Sequence, residues 1–190
     1  QWTSHYNMGN YLLGRGESRK AVASYQEALR HDPQAIMALV NMAIAHARMG
    51  EKDKAEKALQ AALSLAPDNG AANFNMGLLQ AEKNELAAAE KYLEKALAAD
   101  PQMAQAAYNL CIITAKDRIE EAVTWCRKAA DLSPREPRYA YTLAFYLNLK
   151  GDTTEAIKKL ETIVEKYPRH REAEALLKKI SKEEQAGTNH

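Results

Sequence analysis

At 190 residues, 46% of them hydrophobic, the chain is long enough to bury a substantial apolar core within one ordinary domain. Lys and Arg number 26 against 25 Asp and Glu, a formal charge of +1, and that balance sets up no field to gather phosphates, acidic tails or anionic lipid, which argues against nucleic acid as a partner. No apolar run approaches the roughly 18 residues of a membrane span, so none is expected; the start at Gln1 instead of Met suggests a segment cut from a longer protein, which leaves the compartment open between cytoplasm and periplasm.

Five of the six prolines, Pro33, Pro67, Pro101, Pro134 and Pro168, stand 34, 34, 33 and 34 residues apart, and a fixed period in this range marks a stack of repeated units. Residues 71–101 carry the pattern against which the other copies align. Twelve residues before each proline is an alanine (Ala21, Ala55, Ala89, Ala122, Ala156), and five before it are Ala28, Ala62, Ala96, Ala129 and, as the exception, Ile163. A third small residue, Gly9, Ala43, Gly77, Cys111 or Ala144, lies earlier in each unit. Helices approach closely only where side chains are short, so each unit reads as a tightly packed pair of antiparallel helices.

Apolar residues at three- and four-residue steps, such as Leu86, Ala89, Leu93, Ala96 and Leu97, have the period of a helix burying one face. The expected helices are 2–15 and 18–31, then 35–49 and 52–65, 69–83 and 86–99, 103–116 and 118–132, and 137–150 and 153–167. Gly16, Gly50 and Gly151 sit where a residue at positive φ would end a first helix, with Asn84 in that place in the third unit. The fourth unit is one residue short, and Asp117 with Arg118 in place of the glycine puts the deletion in its turn. Beyond Pro168, Ala173, Leu176, Leu177 and Ile180 share one face of a helix over 171–185, expected to cap the last unit. Residues 186–190 show no pattern and read as a disordered tail.

The period, the closing proline, the paired alanines, and Asn-Met-Gly-Asn at 7–10 with Asn-Met-Gly-Leu at 75–78 resemble the tetratricopeptide repeat family. The resemblance implies an all-α, right-handed superhelical solenoid of five helix–turn–helix hairpins (about 2–35, 36–69, 70–103, 104–136 and 137–170) plus a C-terminal capping helix, in a single domain over 1–185. It also implies a concave groove lined by the first helices and a non-catalytic role in binding proteins or extended peptides. The tryptophan the family often has early in the first helix is replaced by His5, Leu39, Asn73, Ala107 and Ala140. Repeats three to five, with YNLC at 108–111 and YAYTLAFYL at 139–147, also resemble repeat regions attached to bacterial multihaem cytochrome proteins, although no Cys-x-x-Cys-His is present to attach a haem. The family's clamp for acidic chaperone C-termini is not reproduced: Asn10 and Asn41 match its amides, but Tyr6, Ala71 and Asn75 occupy its basic sites.

A groove lined by first helices presents Asn7, Asn41, Asn75 and Asn109, spaced by 34 and followed by Thr142. These read as a ladder of amides suited to the N–H and C=O groups of an extended peptide; equally, each can be satisfied by neighbouring helices or water. Tyr6, Val40, Phe74, Tyr108 and Tyr141 stand one position earlier; Asn10, Ile44, Leu78, Ile112 and Phe145 stand three later. Together they predict an apolar groove floor, unless curling of the stack buries them.

Cys111 and Cys126 fall at packing positions and read as buried thiols, with a disulfide as the alternative in an oxidising compartment. Met8, Met42 and Met76 are expected in the core. His5, His31, His46, His170 and His190 have no metal-ligand spacing, the basic residues near 169–182 are interleaved with glutamates, and no catalytic set or Gly-rich phosphate loop is recognisable, so neither metal, cofactor nor enzymatic role is expected. Trp2 would lie exposed at the start of the first helix and predicts cover by upstream repeats or a dimer contact. Beside the peptide-binding scaffold stands a second reading, a structural spacer or self-assembly module acting through its ends, within a larger multidomain protein.

Overall fold

The computed structural model describes residues 2–187. Among them are eleven α-helices and no strand: α1 (Trp2–Gly14), α2 (Ser18–His31), α3 (Ile36–Arg48), α4 (Lys52–Leu65), α5 (Gly70–Glu82), α6 (Leu86–Ala99), α7 (Ala104–Thr114), α8 (Ile119–Leu132), α9 (Pro137–Lys150), α10 (Thr153–Lys166) and α11 (Arg171–Gly187). They form two compact units, α1 to α6 ending at Pro101 and α7 to α11 beginning after it. The boundary falls near the junction of the third and fourth hairpins. Of the expected tail, residues 188–190 lie outside the described residues, and α11 runs two residues beyond its expected end.

The prolines end the second helices through the residue before them. Asp32, Ala66, Asp100, Ser133 and Tyr167 all leave the helical region, with φ between −142° and −129° and ψ between 70° and 93°, because the proline ring disfavours that region for its predecessor. Gly16, Gly50 and Gly151 close first helices at φ of 78°, 74° and 100°, and Asn84 does so at 63°. In the short fourth hairpin no residue is left-handed; Arg118 stands at φ −138° before α8. Losing one residue there removes the left-handed step and leaves both helices in register.

Close approach of paired helices is visible atom by atom. The ten residues at the two fixed distances before the prolines, Ile163 included, are at most 3% exposed. A Cβ on Gly77 would stand 2.8 Å from Leu93 Cγ, and one on Gly9 would run into the Tyr25 ring. Helix α11 packs Ala173 and Ile180 into one core with Ala144, Leu160 and Ile163, flanked by Leu176 and Leu177. Its start is secured by Ala173 N–H donating to His170 Nδ1 at 3.2 Å.

Three expectations about the core need correction. Met76 is 1% exposed, but Met8 is 53% exposed, because among the described residues no helix lies over the α1 face that bears it. Trp2 is half-buried, packed on the α1–α2 core with its ring centroid 6.0 Å from that of Tyr6, so its own hairpin supplies much of the cover expected from elsewhere. Cys111 and Cys126 are not thiols: they form a disulfide, Cα atoms 5.0 Å apart, joining α7 to α8 inside the core.

Candidate peptide-binding face

In the N-terminal unit the first helices are α1, α3 and α5, and their asparagines have unlike environments. Asn7 is exposed. Asn41 Nδ2 donates to Asn10 Oδ1 at 2.8 Å and to Tyr6 Oη at 3.3 Å, while Tyr25 Oη donates to the same Asn10 oxygen at 2.8 Å. This amide is engaged between α3 and α1. Asn75 Nδ2 instead turns back onto Ala71 O of its own helix at 2.8 Å. That carbonyl is also a main-chain helix acceptor, so the side-chain bond is a local one that a competing partner can replace.

In the C-terminal unit Asn109 Nδ2 donates to Gln105 O at 2.8 Å and Thr142 Oγ1 to Arg138 O at 2.8 Å, again within one helix. Thr142 is buried and Asn109 more open.

The two apolar rows differ in accessibility. Of the earlier row, Val40 is 1% exposed and offers a ligand nothing; α3 is flanked on both sides, and Val40 belongs to a core with Leu39, Ala62 and Ala72. Tyr6, Phe74, Tyr108 and Tyr141 are half-buried. The later row has no buried member and opens toward its C-terminal end: Asn10, Ile44 and Leu78 are half-buried, Ile112 is 41% exposed and Phe145 39%. Leu149, one helical turn beyond Phe145, is exposed as well. In this unit Arg138 places its guanidinium 4.9 Å from the Tyr108 ring centre, and the Tyr108 and Tyr139 rings lie tilted by 30° with centroids 4.7 Å apart. An exposed apolar stripe edged by one stacked cation follows.

Between α3 and α5 the surface sinks into a cavity of about 250 Å³ lined by Ile44, Ala47, Leu59, Asn75 and Leu78, with Arg48 and Glu82 also on its wall. Ile44, Asn75 and Leu78 of the expected lining meet at this cavity, whereas Ala47, Leu59, Arg48 and Glu82 on its wall were not among the expected groove residues. Tyr25 was missed too, although the sequence held a signal: at its place in the period the later units carry Leu59, Leu93, Cys126 and Leu160. Burial, reinforced by the neighbouring Tyr6, pushes the Tyr25 phenol up to about 12.

Other polar clusters are small. His46 Nδ1 lies 2.6 Å from Glu51 Oε2, and the Glu51 carboxyl is held below its usual range first by Lys54 and then by His46. His5 and His31 stack at 5.4 Å. Among the described residues no group of three or more His, Cys, Asp or Glu could hold a metal ion. Nor, among the described residues, is any helix long and apolar enough to cross a membrane.

Stacked helical hairpins whose first helices carry open apolar side chains define a helical-repeat protein. The profile described as tetratricopeptide repeat matches residues 40–104 and again 75–137, and two further tetratricopeptide repeat profiles match 2–35 and 139–170. The chain belongs to the tetratricopeptide repeat family. No curated protein sequence matches it. Among solved structures it resembles "MamA 41-end from Desulfovibrio magneticus RS-1", at 27% identity over 86% of this chain and 93% of that one, with a TM-score of 0.74. Two others share the fold alone. YrrB, described as a TPR protein with an unusual peptide-binding site, is 20% identical over 92% of this chain and 90% of its own, with a TM-score of 0.72. Pseudomonas aeruginosa PilF is 18% identical over 92% and 87%, with a TM-score of 0.79.

Proposed function

We propose that the chain is a non-catalytic scaffold that binds an extended segment of a partner protein on the open faces of its first helices. The observation that carries this reading is Asn75: an amide satisfied only locally, lining the same recess as Ile44 and Leu78. Such an amide can exchange its in-helix bond for one to a peptide backbone, while the aliphatic side chains beside it take apolar groups. Net hydrogen bonds contribute about 0.5–1.5 kcal/mol each, and Asn41 is already committed, so affinity rests mainly on apolar contact at about 25 cal/mol per Å² buried. The asparagines therefore act one by one. The family's general role in holding proteins, and the peptide-binding site of the structurally similar YrrB, support this reading.

The test is selection of a displayed random-peptide library on the wild-type protein, followed by titration of enriched peptides against Asn75→Ala/Leu78→Glu. At least tenfold weaker binding with unchanged helical circular dichroism is expected. Peptides that bind both forms equally would place recognition elsewhere.

A further inference from the structure

We infer that the recess between α3 and α5 is a pocket for one aliphatic side chain of leucine size; the inference rests on the groove reading above and assigns its specificity. The protein itself shows what fills such a place. Shift the lining back by one period of 34 and it becomes Asn10, Leu13, Tyr25, Asn41, Ile44 and Arg48 of the first hairpin. There the space is filled from within: Leu13 and Tyr25 are core residues, the Tyr25 hydroxyl and the Asn41 amide converge on Asn10 Oδ1, and Arg48 Nη1 closes over Leu13 O at 2.8 Å.

One step along the stack each filling group is lost. Leu13 becomes Ala47, Tyr25 becomes Leu59 and Asn10 becomes Ile44. A ring at 59 is barred for a stated reason: Tyr25 fits only because Gly9 has no Cβ, and the matching residue here is Ala43. About 250 Å³ is left open, and an apolar cavity of roughly 150 Å³ already admits benzene. With Ile44 in the place of Asn10, the fixed acceptor that serves Tyr25 is gone, and the buried part of the wall is Ala43, Ala55, Leu59 and Leu79, with the charged Arg48 and Glu82 exposed; a polar side chain seated on that buried part loses hydrogen bonds to water that it does not return. Asn75, free to leave Ala71 O, is left to bond the backbone that carries the entering side chain.

The probe is N-acetyl-leucine methylamide, with N-acetyl-asparagine methylamide as its polar isostere, titrated into the protein and followed by methyl and side-chain amide NMR. Saturable shifts at Ile44, Leu59, Leu78 and the Asn75 amide are expected at millimolar leucine probe. The asparagine probe should bind at least tenfold more weakly. Ala47→Leu, which restores the side chain of the first hairpin at an exposed position, should abolish the leucine shifts without changing the circular dichroism or melting temperature. Absence of saturable shifts, equal response to both probes, or persistence in Ala47→Leu overturns the inference. If library peptides still lose binding to Asn75→Ala/Leu78→Glu but bind Ala47→Leu normally, the groove stands and the pocket falls.

Discussion

Tyr25 shows how much a single side chain decides here. It is fully buried between α1 and α2, and only its hydroxyl meets a polar group, the Asn10 oxygen shared with Asn41. Burial disfavours the phenolate, so the folded chain holds this proton to about 12, whereas an unfolded tyrosine releases it near 10. The unfolded state therefore binds fewer protons across that interval, and stability falls as pH rises through it. This contribution is fully present below pH about 10 and lost by about 12. Denaturant unfolding at several alkaline pH values should show a decline in the wild type that is shallower in Tyr25→Phe. At neutral pH that variant should cost about 1 kcal/mol for the lost hydrogen bond. Equal alkaline slopes in the two proteins would mean that Tyr25 is not the group holding its proton.

Among the elements the fourth hairpin stands apart. Its turn has no left-handed residue, and it alone is tied across by a covalent bond, Cys111 on α7 to Cys126 on α8. The bond closes a sequence separation of 15, for which constraint of the unfolded chain is worth about 3 kcal/mol. The chain supplies its own control, since the matching places hold Ala43 or Ala144 and Leu59, Leu93 or Leu160. Cys111→Ala/Cys126→Leu should pack as the neighbouring hairpins do yet unfold at lower denaturant than the oxidised wild type. Added reductant should lower the midpoint of the wild type and leave the variant unmoved; a wild type indifferent to reductant would mean that the bond contributes nothing to stability. These two cysteines also mark where sequence legibility stops. Period and small residues made all eleven helices readable, because close approach leaves one kind of residue at each contact. The fate of a particular side chain depends on partners that no single period contains. Asn41 is engaged because α1 presents both Asn10 and Tyr6 to it, Val40 is sealed because α3 is flanked on both sides, and Met8 is open because α1 is not.

Over the whole molecule, a stack of hairpins must end somewhere without leaving an apolar face to water, and the two ends treat this differently. On α1, Met8 and Tyr11 are 53% and 58% exposed, while of their counterparts one and two periods on Ala45, Met76 and Leu79 are buried and Met42 is half-buried. At the other end α11 covers Leu160, Ile163 and Ala144. Helix α11 occupies the register of a first helix, but where Gly9, Ala43, Gly77, Cys111 and Ala144 admit a second helix it carries Lys178, bonded to Glu174 at 2.6 Å. A lysine there bars the close approach on which a hairpin depends and turns a polar side outward. A chain stopped after His170 should therefore lose the burial of Ala173, Leu176, Leu177 and Ile180. At about 1.5–3 kcal/mol for each large apolar side chain fully buried, several kcal/mol of stability should go with it. The uncovered Leu160 and Ile163 would then seek one another, so sedimentation should show association rising with concentration in the shortened protein and less of it in the full chain. If the shortened protein remains monomeric and keeps its unfolding midpoint, α11 is dispensable and the second hairpin of the C-terminal unit closes that end by itself.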